Sequence, residues 1–70
     1  MDKVFLNSEN LNAVAYDTNE STLLVEFTNG HSYRYLDVPK RVYEGLMSTA
    51  AKDQNFNKNI KDQYPFQRLS

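Results

Sequence analysis

Leu23-Leu24-Val25-Glu26-Phe27, then Thr28-Asn29-Gly30, then His31-Ser32-Tyr33-Arg34-Tyr35: two alternating runs flank an Asn-Gly pair, the strongest short-range mark of a β-hairpin. Loop length decides what the hairpin means. A two-residue Asn29-Gly30 turn pairs Thr28 with His31, Glu26 with Tyr33 and Leu24 with Tyr35, and sets Ser32 and Arg34 on the face of Leu23, Val25 and Phe27. A three-residue loop, with Gly30 left-handed as a G1 bulge, pairs Phe27 with His31, Val25 with Tyr33 and Leu23 with Tyr35. A slip of one residue moves every side chain to the other face. Only the three-residue loop yields a clean apolar face, so it is the expected one.

Working outward, Leu11 to Tyr16 alternates, with Val14 and Tyr16 on one side and the small Ala13 and Ala15 on the other. This reads as a first strand, ended by the polar turn Asp17-Thr18-Asn19-Glu20-Ser21. The fold class expected is α+β: a three-stranded antiparallel meander with Val14, Tyr16, Leu23, Val25, Phe27, Tyr33 and Tyr35 on one face. Glu26 and Arg34 on the opposite face stand close enough to pair diagonally. Upstream, Val4-Phe5-Leu6 is either an edge strand or a tucked arm, and Asn7 to Asn10 is a loop.

Downstream, Asp37-Val38-Pro39 ends the sheet and starts the main helix, expected over 39–51 and packed on one face. Proline suits a first helical turn, and Asp37 is placed to cap it. Val42, Leu46 and Ala50, with Tyr43 and Met47 alongside, form an apolar stripe. Gly45 either permits a close approach or occupies an indifferent surface position. Phe56, Ile60 and Tyr64 recur at four-residue spacing and suggest a second, short C-terminal helix, capped by Asp53 or Asn55 and ended before Pro65. The order expected is thus β-β-β-α-α, with Phe66 and Leu69 tied back onto the core.

Seventy residues make one small domain, residues 1–70, with limited capacity to bury surface. The chain has no cysteine, so neither a disulfide framework nor a thiolate metal site is available. Nine aromatic residues must supply much of the core. No apolar run approaches a membrane span, and Met1 to Asn7 lacks the basic start and long apolar stretch of a leader. A cytoplasmic bacterial or phage protein is the expectation. Charge is uneven: residues 1–38 set Lys3 and Arg34 against six carboxylates, for −4, and residues 39–70 set six cations against three carboxylates, for +3. A basic half attracts phosphate, but a solvated helical face is the better account of so small an excess.

No enzyme reading emerges. His31 sits alone at a turn with no thiol partner, and no ligand spacing converges on it, so neither a metal nor any other cofactor is expected. The carboxylates show no local acid–base pairing, and two glycines cannot build a phosphate loop. Tyr33-Arg34-Tyr35 resembles the aromatic pairs on which RNA-recognition sheets stack bases. The hairpin register instead places both rings on the core face, beneath a helix, where they cannot stack a base.

Taken together, Asn10-Leu11, Val14 to Asp17, Asn29-Gly30, Tyr33-Arg34-Tyr35, Val38-Pro39, Val42-Tyr43, Leu46, Ala50, Phe56-Asn57, Ile60 and Tyr64 follow an order and spacing similar to the KTSC domain. This unit of about the same length is named from the C-terminus of some lysyl-tRNA synthetases and also stands alone in bacteria and phages. The resemblance spans about Ser8 to Leu69 and implies that Tyr33, Tyr35, Val38, Pro39, Phe56, Ile60 and Tyr64 are mainly core. It implies a domain whose molecular function is not established, with RNA binding suggested by the synthetase context. Asn57 matches a polar family position, and Lys61 stands where arginine is common. Ala51-Lys52-Asp53-Gln54-Asn55 replaces the family's frequent Ser-x-Gly-x-aromatic run, so a ligand site built on that turn is not carried over.

Two functional classes follow. In the first, the C-terminal half binds RNA, with Lys58, Lys61 and Arg68 on phosphates and Asn57 presented beside Lys61 on one helical side. In the second, the domain is a protein-interaction module, including a homodimer, that accepts a strand at an open sheet edge along Asn7 to Ala15. Val4-Phe5-Leu6, folded back over that edge, removes the second option.

Overall fold

The hairpin pairs as its parity demands. Leu23 lies opposite Tyr35 and Val25 opposite Tyr33, while the Phe27 N–H donates to the His31 carbonyl at 2.9 Å and the Gly30 N–H to the Phe27 carbonyl at 3.0 Å. Gly30 has φ +94°, the left-handed backbone that closes this three-residue loop. The computed structural model describes residues 3–70; Met1 and Asp2, part of the N-terminal stretch read for a leader, lie outside the described residues.

Five strands, not three, make the sheet. They are β1 (Val4–Phe5), β2 (Leu11–Asp17), β3 (Thr22–Phe27), β4 (Ser32–Tyr35) and β5 (Phe66–Arg68), antiparallel throughout and adjacent in chain order. Helices α1 (Lys40–Ser48) and α2 (Lys52–Asn59) are inserted between β4 and β5, so the second helix is not C-terminal. The β5 strand adds to the free edge of β4, with Tyr33 opposite Arg68 and Tyr35 opposite Phe66. The tail is therefore tied back through backbone pairing, yet Phe66 and Leu69 remain about half exposed, at 53% and 46%. On the far edge, β1 sets Val4 opposite Val14 and Phe5 opposite Ala13, and the Leu6 N–H donates to the Asn12 carbonyl at 2.8 Å. The edge offered for strand addition along Asn7 to Ala15 is thus already paired over Asn12 to Val14.

One irregularity rearranges the first strand. Between Leu11 and Ala13 the register shifts, so Leu11 pairs with Phe27 and Ala13 with Glu26. Strict alternation puts Leu11 on the side of Ala13 and Ala15. The bulge at Asn12 returns it to the core face with Val14, where both are 1% exposed. Leu11, Val14, Leu23, Val25, Tyr35, Val38, Leu46, Phe56 and Ile60 form one core. Burial of this apolar surface is the main stabilising contribution in so small a domain.

Each helix covers a different part of the sheet. Leu46 of α1 is fully buried, and Tyr43 stacks on Tyr16 of β2 with centroids 4.9 Å apart. From α2, Phe56 meets Phe27 and Tyr35 edge-on, each at 5.5 Å. Two expected caps are absent. Pro39 itself occupies the N-cap of α1 with no side-chain cap bond, while Asp37 is exposed at φ 58°. Ala51 is the N-cap of α2, which places both Asp53 and Asn55 inside the helix. The Asp53 carboxylate instead accepts from the Glu9 N–H at 3.1 Å and the Asn10 N–H at 3.4 Å, pinning the loop before β2. Between the helices, the Lys52 ammonium donates to the carbonyls of Met47 at 3.3 Å and Thr49 at 2.5 Å, satisfying orphan acceptors at the end of α1. Gly45 is exposed, and a methyl group added there would meet no atom within 4 Å, so it serves no close approach.

Candidate functional site

A cleft of about 470 Å³ opens where the hairpin loop, the end of α2 and the start of β5 meet. Its floor is aromatic: Phe27, Tyr33, Tyr35, Phe56 and Phe66 come from four different elements. Register explains the convergence. Tyr33 and Tyr35 lie two apart on β4, and pairing with β5 sets Phe66 across from Tyr35 on the same face. The Phe66 ring then lies 5.5 Å from Tyr33 and 5.6 Å from Tyr35, tilted 42° and 39° to them respectively. Phe27 meets Tyr33 edge-on at 5.5 Å.

Helical cover stops partway across this floor. Tyr35 lies under Phe56 and is 3% exposed, whereas Tyr33 is half-buried and Phe66 is open to solvent. The expectation that both tyrosines lie beneath a helix therefore holds for Tyr35 but not for Tyr33. The Tyr35 side chain lines the cleft. Burial, followed by the nearby Tyr33 and Asp62 groups, pushes its pKa up to about 12. It stays a neutral donor and acceptor at ordinary pH.

The rim is polar and mixed in charge. Asn57 and Lys61 line it, as do Asn10, Asn29, His31 and Asp62. Helix α2 ends at Asn59, and the Lys61 N–H donates back to the Phe56 carbonyl at 3.0 Å, so a tight turn rather than helical spacing brings Asn57 and Lys61 to one cleft. Lys58 is exposed on α2 outside the cleft. Arg68 is outside it as well but braces one wall. Its Nη2 donates to His31 Nδ1 at 2.8 Å and its Nε to the Ser70 carbonyl at 3.1 Å.

Of the residues singled out from the sequence, the structure brings Asn57, Lys61, Tyr33, Tyr35 and Phe56 together at the cleft. Val38 and Ile60 are fully buried, and Pro39 and Tyr64 are half-buried. Sequence reasoning does not reach Phe27, Phe66, His31, Asn10 and Asp62 as site residues. Their only signal is the hairpin register combined with a strand at 66–68, and three residues are too few to show a period.

The opposite face of the sheet carries less. Glu26 pairs with Lys3 rather than Arg34, and hydrogen bonding to the Lys3 ammonium holds its carboxyl below the usual carboxylate range. Arg34 is exposed. Among the described residues, no group of three or more His, Asp or Glu side chains is placed to hold a metal, and no helix is long and apolar enough to cross a membrane.

The fold and cleft define a small α+β domain in which two helices cap one face of an antiparallel sheet. Residues 7–64 match the KTSC domain model, and the chain belongs to that family. It is 41% identical over 56 residues to a lysine–tRNA ligase of Nostoc punctiforme, covering 80% of this chain but only about a tenth of the ligase. It is 36% identical over 64 residues to an uncharacterized protein of Stutzerimonas stutzeri, covering 91% of this chain and 90% of that protein. The crystal structure of a KTSC domain protein from Yersinia pestis superposes with a TM-score of 0.92 at 26% identity, over 99% of this chain and 97% of the other.

Proposed function

We propose that this domain is a non-enzymatic module that binds single-stranded RNA at the aromatic cleft. The observation that carries the reading is the incomplete helical cover, which leaves Tyr33 and Phe66 accessible beside the Asn57 amide and the Lys61 ammonium. Single-stranded RNA is recognised through unstacked bases laid on aromatic rings, with amides reading base edges and cations on the backbone. The volume suits one small ligand unit rather than a duplex. A lysine–tRNA ligase carries a similar stretch, which supports the choice of RNA. Strand addition of a protein partner is less favoured, because the outermost strands are only two and three residues long.

Titration of the isotope-labelled domain with mixed-sequence single-stranded RNA, followed by amide NMR, tests the reading. Shifts are expected in the hairpin loop, in 56–62 and in β5, weakening as salt rises. RNA at low salt that moves none of these amides overturns it.

A further inference from the structure

Two rim residues adjacent in sequence, Lys61 and Asp62, present opposite charges to the same cleft. The carboxylate is unexpected in a phosphate-binding surface, where it opposes the ligand's charge. It becomes intelligible if the ligand brings hydrogen-bond donors to it. Beneath them the Tyr35 side chain, 3% exposed, lines the floor. Tyr33 and Phe66 are tilted 42° to each other, so a flat ring stacked on one lies inclined by the same angle to the other. Such a corner accommodates one base.

From this arrangement we infer that the cleft selects guanine among the four RNA bases, with Lys61 and Asp62 reading opposite ends of its edge. The inference rests on the cleft being a nucleotide site, as proposed above. Guanine sets two acceptors side by side, O6 and N7, which suit a lysine ammonium. It also sets two donors side by side, N1–H and the N2 amine, which suit the two oxygens of a carboxylate. The other bases lack that donor pair. Adenine offers one amine flanked by ring acceptors. Cytosine offers one amine beside the acceptor N3, and uracil one N–H between two carbonyls. Each therefore turns an acceptor toward Asp62. The Asn57 side-chain amide has both a donor and an acceptor to complete either contact.

The test is an amide NMR titration with the 5′-monophosphates of guanosine, adenosine, cytidine and uridine at one fixed low salt. The shared phosphate cancels, leaving the base as the variable. The guanosine nucleotide is expected to bind about tenfold more tightly than each of the others. Inosine monophosphate, which lacks only the N2 amine, should fall between guanosine and adenosine. Asp62→Asn, at an exposed position that leaves the fold intact, should abolish the guanine preference, so that the guanosine and adenosine nucleotides bind this variant with equal affinity. If the four nucleotides shift cleft amides with equal affinity, or Asp62→Asn retains the preference, guanine selection is overturned and the RNA reading stands. If neither the nucleotides nor single-stranded RNA moves the cleft amides, both fail.

Discussion

The Tyr16 hydroxyl donates a 2.5 Å hydrogen bond to the Val38 carbonyl, across 22 residues of chain. The same ring stacks on Tyr43, so one side chain ties the end of β2 both to the sheet-to-helix connection and to α1. The Val38 N–H in turn donates to the Ser21 carbonyl at 2.8 Å, which holds the connection from its other side. Tyr16→Phe preserves the ring and deletes only the hydroxyl bond, leaving a part-buried carbonyl unpaired. It should destabilise the domain by about 1–2 kcal/mol. In a chain of this size, each kcal/mol lowers the thermal midpoint by about 4–8 °C. A melting curve superimposable on the wild type contradicts the role assigned to this bond.

The two glycines should respond in opposite directions. Gly45 sits in the interior of α1 with open space around it, so Gly45→Ala should stabilise by about 0.5–1 kcal/mol through helix propensity and a less flexible unfolded chain. Gly30 has equal space but φ +94°, and Gly30→Ala should destabilise by about 1 kcal/mol or more from backbone strain alone. Urea midpoints of the two variants measure both signs.

Lys52 and Lys58, six residues apart on one short helix, should differ in weight. Lys52→Met removes the donor that satisfies the Met47 and Thr49 carbonyls and should destabilise by about 1–2 kcal/mol. Lys58→Met, at an exposed position, should stay within about 0.5 kcal/mol. Equal midpoints for the two variants would remove the case for Lys52 as a C-terminal cap.

Alkaline pH should loosen the fold through Tyr35. Its pKa is pushed up to about 12 by burial and by the neighbouring Tyr33 and Asp62 groups, against an unfolded value near 10. A raised pKa means that the folded state holds the proton more tightly. The resulting stability is complete below about pH 10 and is lost as pH climbs toward 12. Wild-type midpoints should therefore fall steeply across that interval, and Tyr35→Phe, normalised to its own neutral-pH stability, should fall less. Parallel profiles for the two proteins argue against Tyr35 as the titrating group.

For RNA, charge reversal at two nearby lysines separates a cleft from a diffuse basic face. Lys61→Glu at the rim should weaken single-stranded RNA binding by about tenfold or more. Lys58→Glu, outside the cleft, should act only through long-range attraction and cost less than about threefold at moderate salt. Filter-binding or fluorescence anisotropy at two salt concentrations distinguishes them. Equal losses would assign binding to the general charge of α2 rather than to the cleft.

The hairpin is legible in the sequence because parity is a local property. Phe27, Val25 and Leu23 share a face with Tyr33 and Tyr35 only if Gly30 closes a three-residue loop, and the chain carries the residues that loop requires. The main helix follows from the spacing of Val42, Leu46 and their neighbours, and the second from Phe56 and Ile60, for the same reason. The family resemblance also lies in the order of such short pieces. Asp53 does belong to a helix start, as its place in the sequence suggests, but it is not the cap. Its carboxylate is claimed by Glu9 and Asn10, more than 40 residues away.

Tertiary structure alone decides the rest. The bulge at Asn12 carries Leu11 into the core, and it is visible only once β2 is laid against β3. Phe66-Gln67-Arg68 becomes a strand because β4 presents a free edge once both helices have packed, and three residues carry too little pattern to announce it. The cleft depends on that strand. Residue type and spacing encode which face a side chain takes within its own element, since backbone geometry repeats every two or about 3.6 residues. Which elements adjoin, and how far a helix covers an aromatic floor, is set by contacts between residues distant in sequence. Tyr33 therefore reads as core beside Tyr35, and only the position of Phe56 over one ring and not the other leaves it at the surface of a site.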